Sequence, residues 1–283
     1  MTTAPTAPTA VAGVAVVTGA SRGIGRQLAV DLAQQGYDIV CAARSTQEKP
    51  GALPGTLDET AAAVEASGRR AWAAPLDVRD EAAIADLVER IYADWGRCDL
   101  LVNNAAIAPA KPALEDPLKR WRLAVDVNLN APFSLIWHLG PRMAAAGGGR
   151  IINISSGVAK LPQFGRPSYT VTKQALESLT ECLGFELRDR GVAVNCLRLE
   201  VPVWTEGFAA TLADPSAFGF EDPVIMSDAV GWMAKQPTTW TGRIVTIGEL
   251  RARGVVREET PASFSAGAPR PSARPGSPGC SQD

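Results

Sequence analysis

The chain has 283 residues, 46% of them hydrophobic, so it is long enough to bury a full core in one large domain. Its net charge of -2 at pH 7 gives no general attraction to phosphate backbones or anionic lipids, so we expect neither a nucleic-acid partner nor a membrane partner. The five cysteines lack the paired spacing of disulfide frameworks or thiolate metal sites, and no apolar run is long enough to cross a bilayer, so we expect a cytoplasmic protein without a metal.

The first part of the chain alternates between strand and helix patterns. Residues 1–10 are rich in Thr, Ala and Pro and lack a secretory signal, and we expect a disordered tail there. Residues 11–17 are a β-branched run that predicts a first strand, and the apolar spacing of residues 24–32 predicts the helix after it. The continuous apolar run 37–43 predicts a second strand that is buried on both faces.

The same alternation continues to about residue 247. Further strands are predicted at 70–76, 99–102, 150–154, 192–197 and 242–247, and further helices at 56–67, 80–94, 118–146, 168–190 and 227–235. Strands interleaved with helices call for a parallel sheet with right-handed crossovers. We therefore predict a single doubly wound α/β domain over residues 11–250, with about seven parallel strands and helices on both faces. Residues 251–283 are rich in Pro, Ser, Ala, Gly and Arg, which predicts a disordered tail.

A glycine-rich turn joins the first strand to the first helix. It reads Thr-Gly-Ala-Ser-Arg-Gly-Ile-Gly over residues 18–25, with the spacing Gly-x-x-x-Gly-x-Gly. Glycines let the backbone approach a diphosphate closely, and the helix N-terminus offers free amide donors. A purely structural turn is the alternative. The predicted cofactor contacts in this turn are Thr18, Gly19, Ser21, Arg22, Gly23, Ile24 and Gly25.

The end of the second strand bears on which nicotinamide cofactor is used. An acid there would accept from the ribose 2′-hydroxyl of NAD, whereas an arginine pairs with the 2′-phosphate of NADP. This chain has Arg44 at that position and Arg22 in the glycine turn, and no carboxylate stands beside them. The pattern favours NADP and leaves NAD possible. The alternative is that Arg44 is a solvated loop residue.

Tyr169 and Lys173 form the predicted catalytic pair. Residues four apart on a helix lie on one face, so the Lys173 ammonium is expected beside the Tyr169 ring. A nearby cation favours the phenolate and lowers the pKa of a tyrosine toward a range in which it can exchange protons. Ser156, just past a buried strand, would offer a hydroxyl to the same volume. On its own, the pair could equally be a surface tyrosine and lysine on an ordinary helix.

Taken together, residues 14–247 resemble the short-chain dehydrogenase/reductase family. The motifs that carry the resemblance stand in the family's order and spacing: the glycine turn, Asp77-Val78, Asn103-Asn104-Ala105, Asn128, Ser156, and Tyr169-Thr-Val-Thr-Lys173. The resemblance implies a Rossmann fold and hydride transfer between a nicotinamide and a carbonyl or secondary alcohol of a small molecule. It also implies a homodimer or homotetramer.

The resemblance further assigns a role to each motif residue. Tyr169 would be the general acid in reduction and the general base in oxidation, and Lys173 would lower its pKa and hold the nicotinamide ribose. Ser156 would hydrogen-bond the substrate oxygen, with Ser155 as the fallback for that role. Asn128 would position a water that links Lys173 to solvent. In the cofactor pocket, Asp77 and Val78 would meet the adenine, and Asn104 and Ala105 the adenosine ribose.

Two departures from the family pattern affect the substrate side. Leu199-Glu200 replaces the usual Pro-Gly pair in the segment that passes the nicotinamide. A catalytically impaired nucleotide-binding protein is therefore the alternative function. The substrate lid, about residues 205–223, is short, and the aromatic residues in and beside it suggest either an apolar or planar substrate or packing of the lid on the core. These aromatic residues are Trp204, Phe208, Phe218 and Phe220.

Overall fold

The computed structural model describes residues 13–212, 214–215 and 219–258. The predicted N-terminal tail, the part of the predicted C-terminal tail from residue 259 onward, and Phe218 of the lid lie outside these residues.

Seven parallel strands form one sheet in the order β3-β2-β1-β4-β5-β6-β7. The order reverses between β1 and β4, as in a doubly wound sheet, and this confirms the predicted fold class. The strands are β1 Gly13–Thr18, β2 Tyr37–Ala43, β3 Ala71–Pro75, β4 Leu100–Asn103, β5 Gly149–Ser156, β6 Val192–Leu199 and β7 Ile244–Thr246. Every residue of β1 and β2 is buried, which explains why both are mostly apolar; the buried Asp38 of β2 is paired with Arg69 and Arg70.

Helices connect the strands and cover both faces of the sheet. They are α1 Gly23–Gln34, α2 Leu57–Glu65, α3 Glu81–Trp95, α4 Leu118–Val125, α5 Ala131–Ala145, α6 Pro167–Glu186, α7 Glu206–Ala209, α8 Val224–Met233 and α9 Ile247–Ala252. A turn of π-helix, Asp126–Asn130, joins α4 to α5, so the long helix predicted over 118–146 is one helical stretch with an internal irregularity. The predicted helix over 168–190 ends at Glu186.

Two apolar clusters lie on opposite faces of the sheet. One includes Leu28 and Leu32 of α1 and Ile225 of α8, and the other includes Ile91 of α3 and Leu139 of α5. Both faces of the sheet are thereby shielded from water, which is the requirement that parallel strands impose.

The packed fold extends beyond the domain boundary predicted at residue 250. α9 begins with Thr246 as a side-chain cap and continues to Ala252, and Val256 after it is only 3% exposed in the first cluster. Apolar burial therefore orders these residues, although their composition resembles that of the tail. Within the described residues, we find no helix that combines the length and the apolar character needed to cross a membrane.

Candidate active site

The glycine turn lies between β1 and α1 at the carboxyl edge of the sheet. Gly19 and Gly23 have φ values of +69° and +52°, in the region that favours glycine. A Cβ on Gly25 would stand 2.2 Å from the carbonyl oxygen of Gly19, so this position accepts no side chain. No side chain caps α1 and its first turn holds no acid. The free amide groups and the cradle without side chains fit the diphosphate of a dinucleotide.

Asn104 ties the end of β1 to the end of β4. Its amide nitrogen donates to the Thr18 carbonyl oxygen at 2.8 Å, and the backbone amides of Asn104 and Ala105 both donate to Thr18 Oγ1 at 3.0 Å. The Asn104 side-chain amide is therefore hydrogen-bonded to β1. A cofactor ribose would instead contact Ala105 or the backbone of this segment.

The two arginines of the predicted cofactor pocket have different surroundings. Arg22 donates to the carbonyl oxygens of Pro54 and Gly55 and to Ser45 Oγ, at 2.8 to 3.0 Å, so it holds the loop after β2 against the glycine turn. Arg44 is exposed at the end of β2. Of the two predicted cations, Arg44 is the one whose guanidinium faces solvent.

Asp77 lies beyond β3, near Arg44. It accepts two-pronged hydrogen bonds from Arg79, and these are the largest cause that holds the pKa of Asp77 below its ordinary value; the charge of Arg44 acts in the same direction. Val78 beside it is buried. The predicted adenine contacts and Arg44 thus occur in one region of the carboxyl edge.

The structure brings Ser156, Tyr169 and Lys173 close together. Ser156 ends β5 and Tyr169 is in the first turn of α6, close enough for hydrogen bonding by Ser156 to act on the pKa of the Tyr169 phenol. One turn later, Lys173 places its ammonium 5.7 Å from the centroid of the Tyr169 ring. This ammonium also donates to the carbonyl oxygen of Ile154 at 2.7 Å.

The pKa values at this site differ from the sequence-based expectation. Burial raises the pKa of Tyr169 above its ordinary value, and the Ser156 hydrogen bond and the charge of Arg166 oppose this shift without cancelling it. The expectation that Lys173 lowers the pKa of Tyr169 is not reproduced, because the helical spacing carried no information about burial. Burial also lowers the pKa of Lys173 itself to about 8.

Asn128 lies in the turn of π-helix, and both ends of its side chain are engaged. Its oxygen accepts from the Ile107 backbone amide at 2.9 Å, and its nitrogen donates to the Ile107 carbonyl oxygen at 2.9 Å and to Thr172 Oγ1 at 3.1 Å. The side chain thus fixes the loop after β4 to α6. A bridging water near Asn128 would have to use the backbone rather than the side chain.

The sequence did not indicate a buried network of polar and charged side chains next to Lys173. Glu177, one turn further along α6, accepts from Ser155 Oγ at 2.8 Å and forms a two-pronged ion pair with Arg198 of β6 at 2.8 and 2.6 Å. Lys160 approaches the same carboxylate at 3.8 Å. Because Ser155 is only 2% exposed and faces Glu177, Ser156 is the serine that faces the cleft. The sequence signal was a glutamate four residues after the lysine, on the same helical face.

The departure at Leu199-Glu200 leaves β6 intact. Leu199 pairs in register with Ser156, so the strand continues to the point where the family's usual Pro-Gly would end it. The lid that follows is tied at its base: Val203 forms a bridge with Glu221, whose carboxylate is paired with Arg251 of α9. Phe208 and Phe220 pack edge to face at 5.1 Å, so these two aromatic rings contact each other within the lid.

Among residues 13–212, 214–215 and 219–258, we find no group of three or more His, Cys, Asp or Glu side chains that could hold a metal ion. The groups that converge in the cleft are a phenol, a hydroxyl and an ammonium, which suit proton transfer to an oxygen atom.

Comparison with known proteins gives a consistent result. A family profile described as short chain dehydrogenase matches residues 13–209. An uncharacterized NAD-dependent oxidoreductase of Mycobacterium tuberculosis is 34% identical over 243 residues, covering 78% of this chain and 88% of that protein. The Danio rerio hydroxysteroid dehydrogenase-like protein 2 is 32% identical over 231 residues, which cover 81% of this chain and 55% of that longer relative.

Solved structures agree with the sequence relatives. The crystal structure of a putative NAD(P) dependent gluconate 5-dehydrogenase from Beutenbergia cavernae, with bound NADP, superposes with a TM-score of 0.74. It is 31% identical to this chain and covers 87% of it, and the whole of that chain is matched.

Proposed function

The chain belongs to the short-chain dehydrogenase/reductase family of NAD(P)-dependent oxidoreductases, and from that premise we propose that it is an NADP(H)-dependent enzyme that interconverts a carbonyl group and a secondary alcohol. The observation that carries the proposal is that the Lys173 ammonium lies 5.7 Å from the centroid of the Tyr169 ring, next to the end of β5, where Ser156 acts on the same phenol. This trio stands at the carboxyl end of β5, at the same edge of the sheet as the free N-terminus of α1.

We propose that Tyr169 moves the proton. When bound, a reduced nicotinamide supplies the hydride that adds to the carbonyl carbon. Tyr169 gives its phenol proton to the carbonyl oxygen, which becomes the hydroxyl of the alcohol, and takes the proton back in the reverse direction. Ser156 donates to the same oxygen and stabilises the negative charge that develops there.

Lys173 and Asn128 are assigned supporting roles in the proton transfer by Tyr169. The Lys173 ammonium, whose pKa is about 8, stays mostly protonated at neutral pH, lies beside the Tyr169 ring and can donate to a ribose hydroxyl. Asn128 holds Ile107 and Thr172 in place, and its backbone is assigned the bridging water that returns a proton to Lys173. The uninterrupted β6 next to Ser156 supports this active enzyme over the catalytically impaired alternative.

Replacing Tyr169 with Phe tests the proposal. We expect kcat/KM for carbonyl reduction to fall about a thousandfold, because the proton donor is lost, while NADPH affinity is unchanged. NADPH oxidation over a panel of ketones and aldehydes measures the first quantity, and fluorescence titration of NADPH measures the second. Activity close to that of the unmodified enzyme would refute the assigned role.

The preference for NADP is assigned to Arg44. It is the exposed cation at the end of β2, and a guanidinium there can pair with a 2′-phosphate. We expect Arg44→Ala to raise the KM for NADPH about tenfold and leave the KM for NADH unchanged. Arg26→Ala, an exposed arginine of α1, is the control. An equal rise in the KM values for NADPH and NADH would contradict the assignment of NADP preference to Arg44. NAD would then remain as the candidate cofactor.

We further propose a homodimer or homotetramer. Phe133 and Trp137 of α5 and Phe185 of α6 are 45%, 61% and 74% exposed, and a second copy would cover these side chains. Light scattering at micromolar concentration tests the assembly, and a monomer would contradict it.

A further inference from the structure

Arg166 is in contact with both walls of the cleft. It directly precedes α6 and is three residues before Tyr169. Its guanidinium carbon lies 5.8 Å from the centroid of the Phe208 ring in the lid helix α7. Its charge also acts on the Tyr169 phenol and opposes the rise in pKa that burial causes there. One cation therefore stands between the group that transfers the proton and the segment that covers the substrate.

No anionic group of the described chain pairs with this cation. Over residues 13–212, 214–215 and 219–258, the Arg166 guanidinium makes no hydrogen bond and no ion pair, although the side chain is half-buried. Two other arginines of the described chain behave differently: Arg198 is paired with Glu177, and Arg251 with Glu221. A partly desolvated guanidinium without a partner retains its full capacity to bind an anion.

We propose that Arg166 binds a carboxylate of the substrate, so that the enzyme acts on oxo acids in reduction and on hydroxy acids in oxidation. The inference rests on the proposed oxidoreductase function and specifies its substrate class. A carboxylate fits better than a phosphate, because one guanidinium neutralises a single negative charge through two parallel hydrogen bonds. A phosphate dianion would keep an uncompensated charge beside the Phe208 ring.

The lid completes this arrangement. The rings of Phe208 and Phe220 pack edge to face with their centroids 5.1 Å apart. Together they would give the substrate an apolar surface next to Arg166. The oxygen that Tyr169 and Ser156 bind and the carboxylate that Arg166 binds would fix the two ends of the substrate. The carbon atoms between them would lie against the two rings. Orientation of the carbonyl would then depend on the charge at its far end.

The test compares acids with neutral substrates of the same shape. The probes are 2-oxo-, 4-oxo- and 5-oxohexanoate and the three corresponding amides, with NADPH oxidation as the readout. We expect kcat/KM for the best acid to exceed that for its amide at least about tenfold, and this ratio to fall close to one in Arg166→Gln, mainly through KM. Because both substrates are measured on the same variant, an altered pKa of Tyr169 cancels in the ratio.

Two further variants sharpen the result. Lys111→Gln removes another positive charge from the nearby loop, whose backbone approaches Gly165, and should keep the preference for the acid. Arg166→Lys keeps the charge but not the two-pronged geometry, and should give an intermediate ratio. Circular dichroism confirms that each variant is folded.

The outcomes separate this inference from the proposed function. Equal rates for acids and amides in the unmodified enzyme, or an unchanged ratio in Arg166→Gln, would overturn the inference and leave the oxidoreductase in place. If no carbonyl is reduced at all, calorimetric binding of hexanoate and hexanamide to the protein with NADPH decides the matter. Hexanoate binding that Arg166→Gln abolishes would support the carboxylate site while the proposed function fails, and absent or unchanged binding would overturn both.

Discussion

The two walls of the cleft are built in different ways. On the catalytic wall, formed by β5, α6 and the turn of π-helix, the functional side chains bond to the fold: Lys173 to the carbonyl oxygen of Ile154, and Asn128 to Ile107 and Thr172. On the opposite wall, which includes residues 200–212 and 219–223, a bridge and an ion pair meet at Glu221 at the base of the lid.

This difference separates chemistry from substrate selection. Proton transfer needs its groups fixed to within a fraction of an ångström, and the catalytic wall provides this by using hydrogen bonds of the core. In the described part of the lid, Phe208 contacts Phe220 and Arg166, so a substitution of Phe208 should act on the substrate side of the cleft rather than on the reacting groups. Mutations on the two walls should therefore affect different measurable quantities.

The largest stability effect is expected at the buried pair of Glu177 and Arg198. Glu177→Gln would remove the carboxylate that is paired with Arg198, whose side chain is only 14% exposed, and we expect the free energy of unfolding to fall by about 3 kcal/mol. Equilibrium denaturation measures the change. Glu89→Gln is the control, because Glu89 pairs with Arg142 on the surface and should lose less than about 1 kcal/mol. Equal losses would contradict the distinction.

The contribution of Lys173 to the stability of the fold should depend on pH. Burial lowers the pKa of Lys173 from 10.5 to about 8, so between these values the unfolded chain binds the additional proton and stability due to this group rises with pH. Its charge is most destabilising below pH 8. We therefore expect the stability of Lys173→Met relative to the unmodified protein to decrease by about 3 kcal/mol as pH rises through this interval. A difference that is constant with pH would be inconsistent with a buried ammonium.

The smallest stability effect is expected in the lid. Phe208→Ala removes the edge-to-face contact with Phe220, and we expect the free energy of unfolding to fall by only about 1 kcal/mol. The KM for substrate should rise, and the affinity for NADPH should stay the same. Denaturation, steady-state kinetics and cofactor titration measure the three quantities. A loss as large as that in Glu177→Gln would show that the lid is as much a part of the core as α6.

Most of the fold could be predicted from the sequence. A parallel strand that is buried on both faces is a continuous apolar run, and the helices that cover it have apolar residues at helical spacing. The sequence also indicated Ser156, Tyr169 and Lys173, since their positions depend on strand ends and on one turn of helix. It did not indicate the pairing of Glu177 with Arg198, which are 21 positions apart and meet only through the packing of α6 on β6. It missed Arg166 for the same reason, because Phe208 reaches it across the cleft.

The direction of the pKa shift of Tyr169 also could not be predicted from the sequence. The spacing of Tyr169 and Lys173 correctly placed a cation near the ring, and from this a lowered pKa was expected. The direction of the shift depends on how much water the surrounding elements exclude, and that quantity belongs to the tertiary structure. Likewise, the engagement of Arg22 with Pro54 and Gly55 depends on the path of a loop that has no periodic pattern.

The turn of π-helix at Asp126–Asn130 sets a phase relationship between the two halves of the long helix. Such a turn takes in one residue more than an α-helical turn, so Leu135, Leu139 and Met143 of α5 face the core in the register that a regular helix with one residue fewer would give them. Loss of one residue within this turn should therefore leave these side chains buried. Loss of one residue from α5 itself, ahead of Leu135, would turn them by about 100° toward solvent.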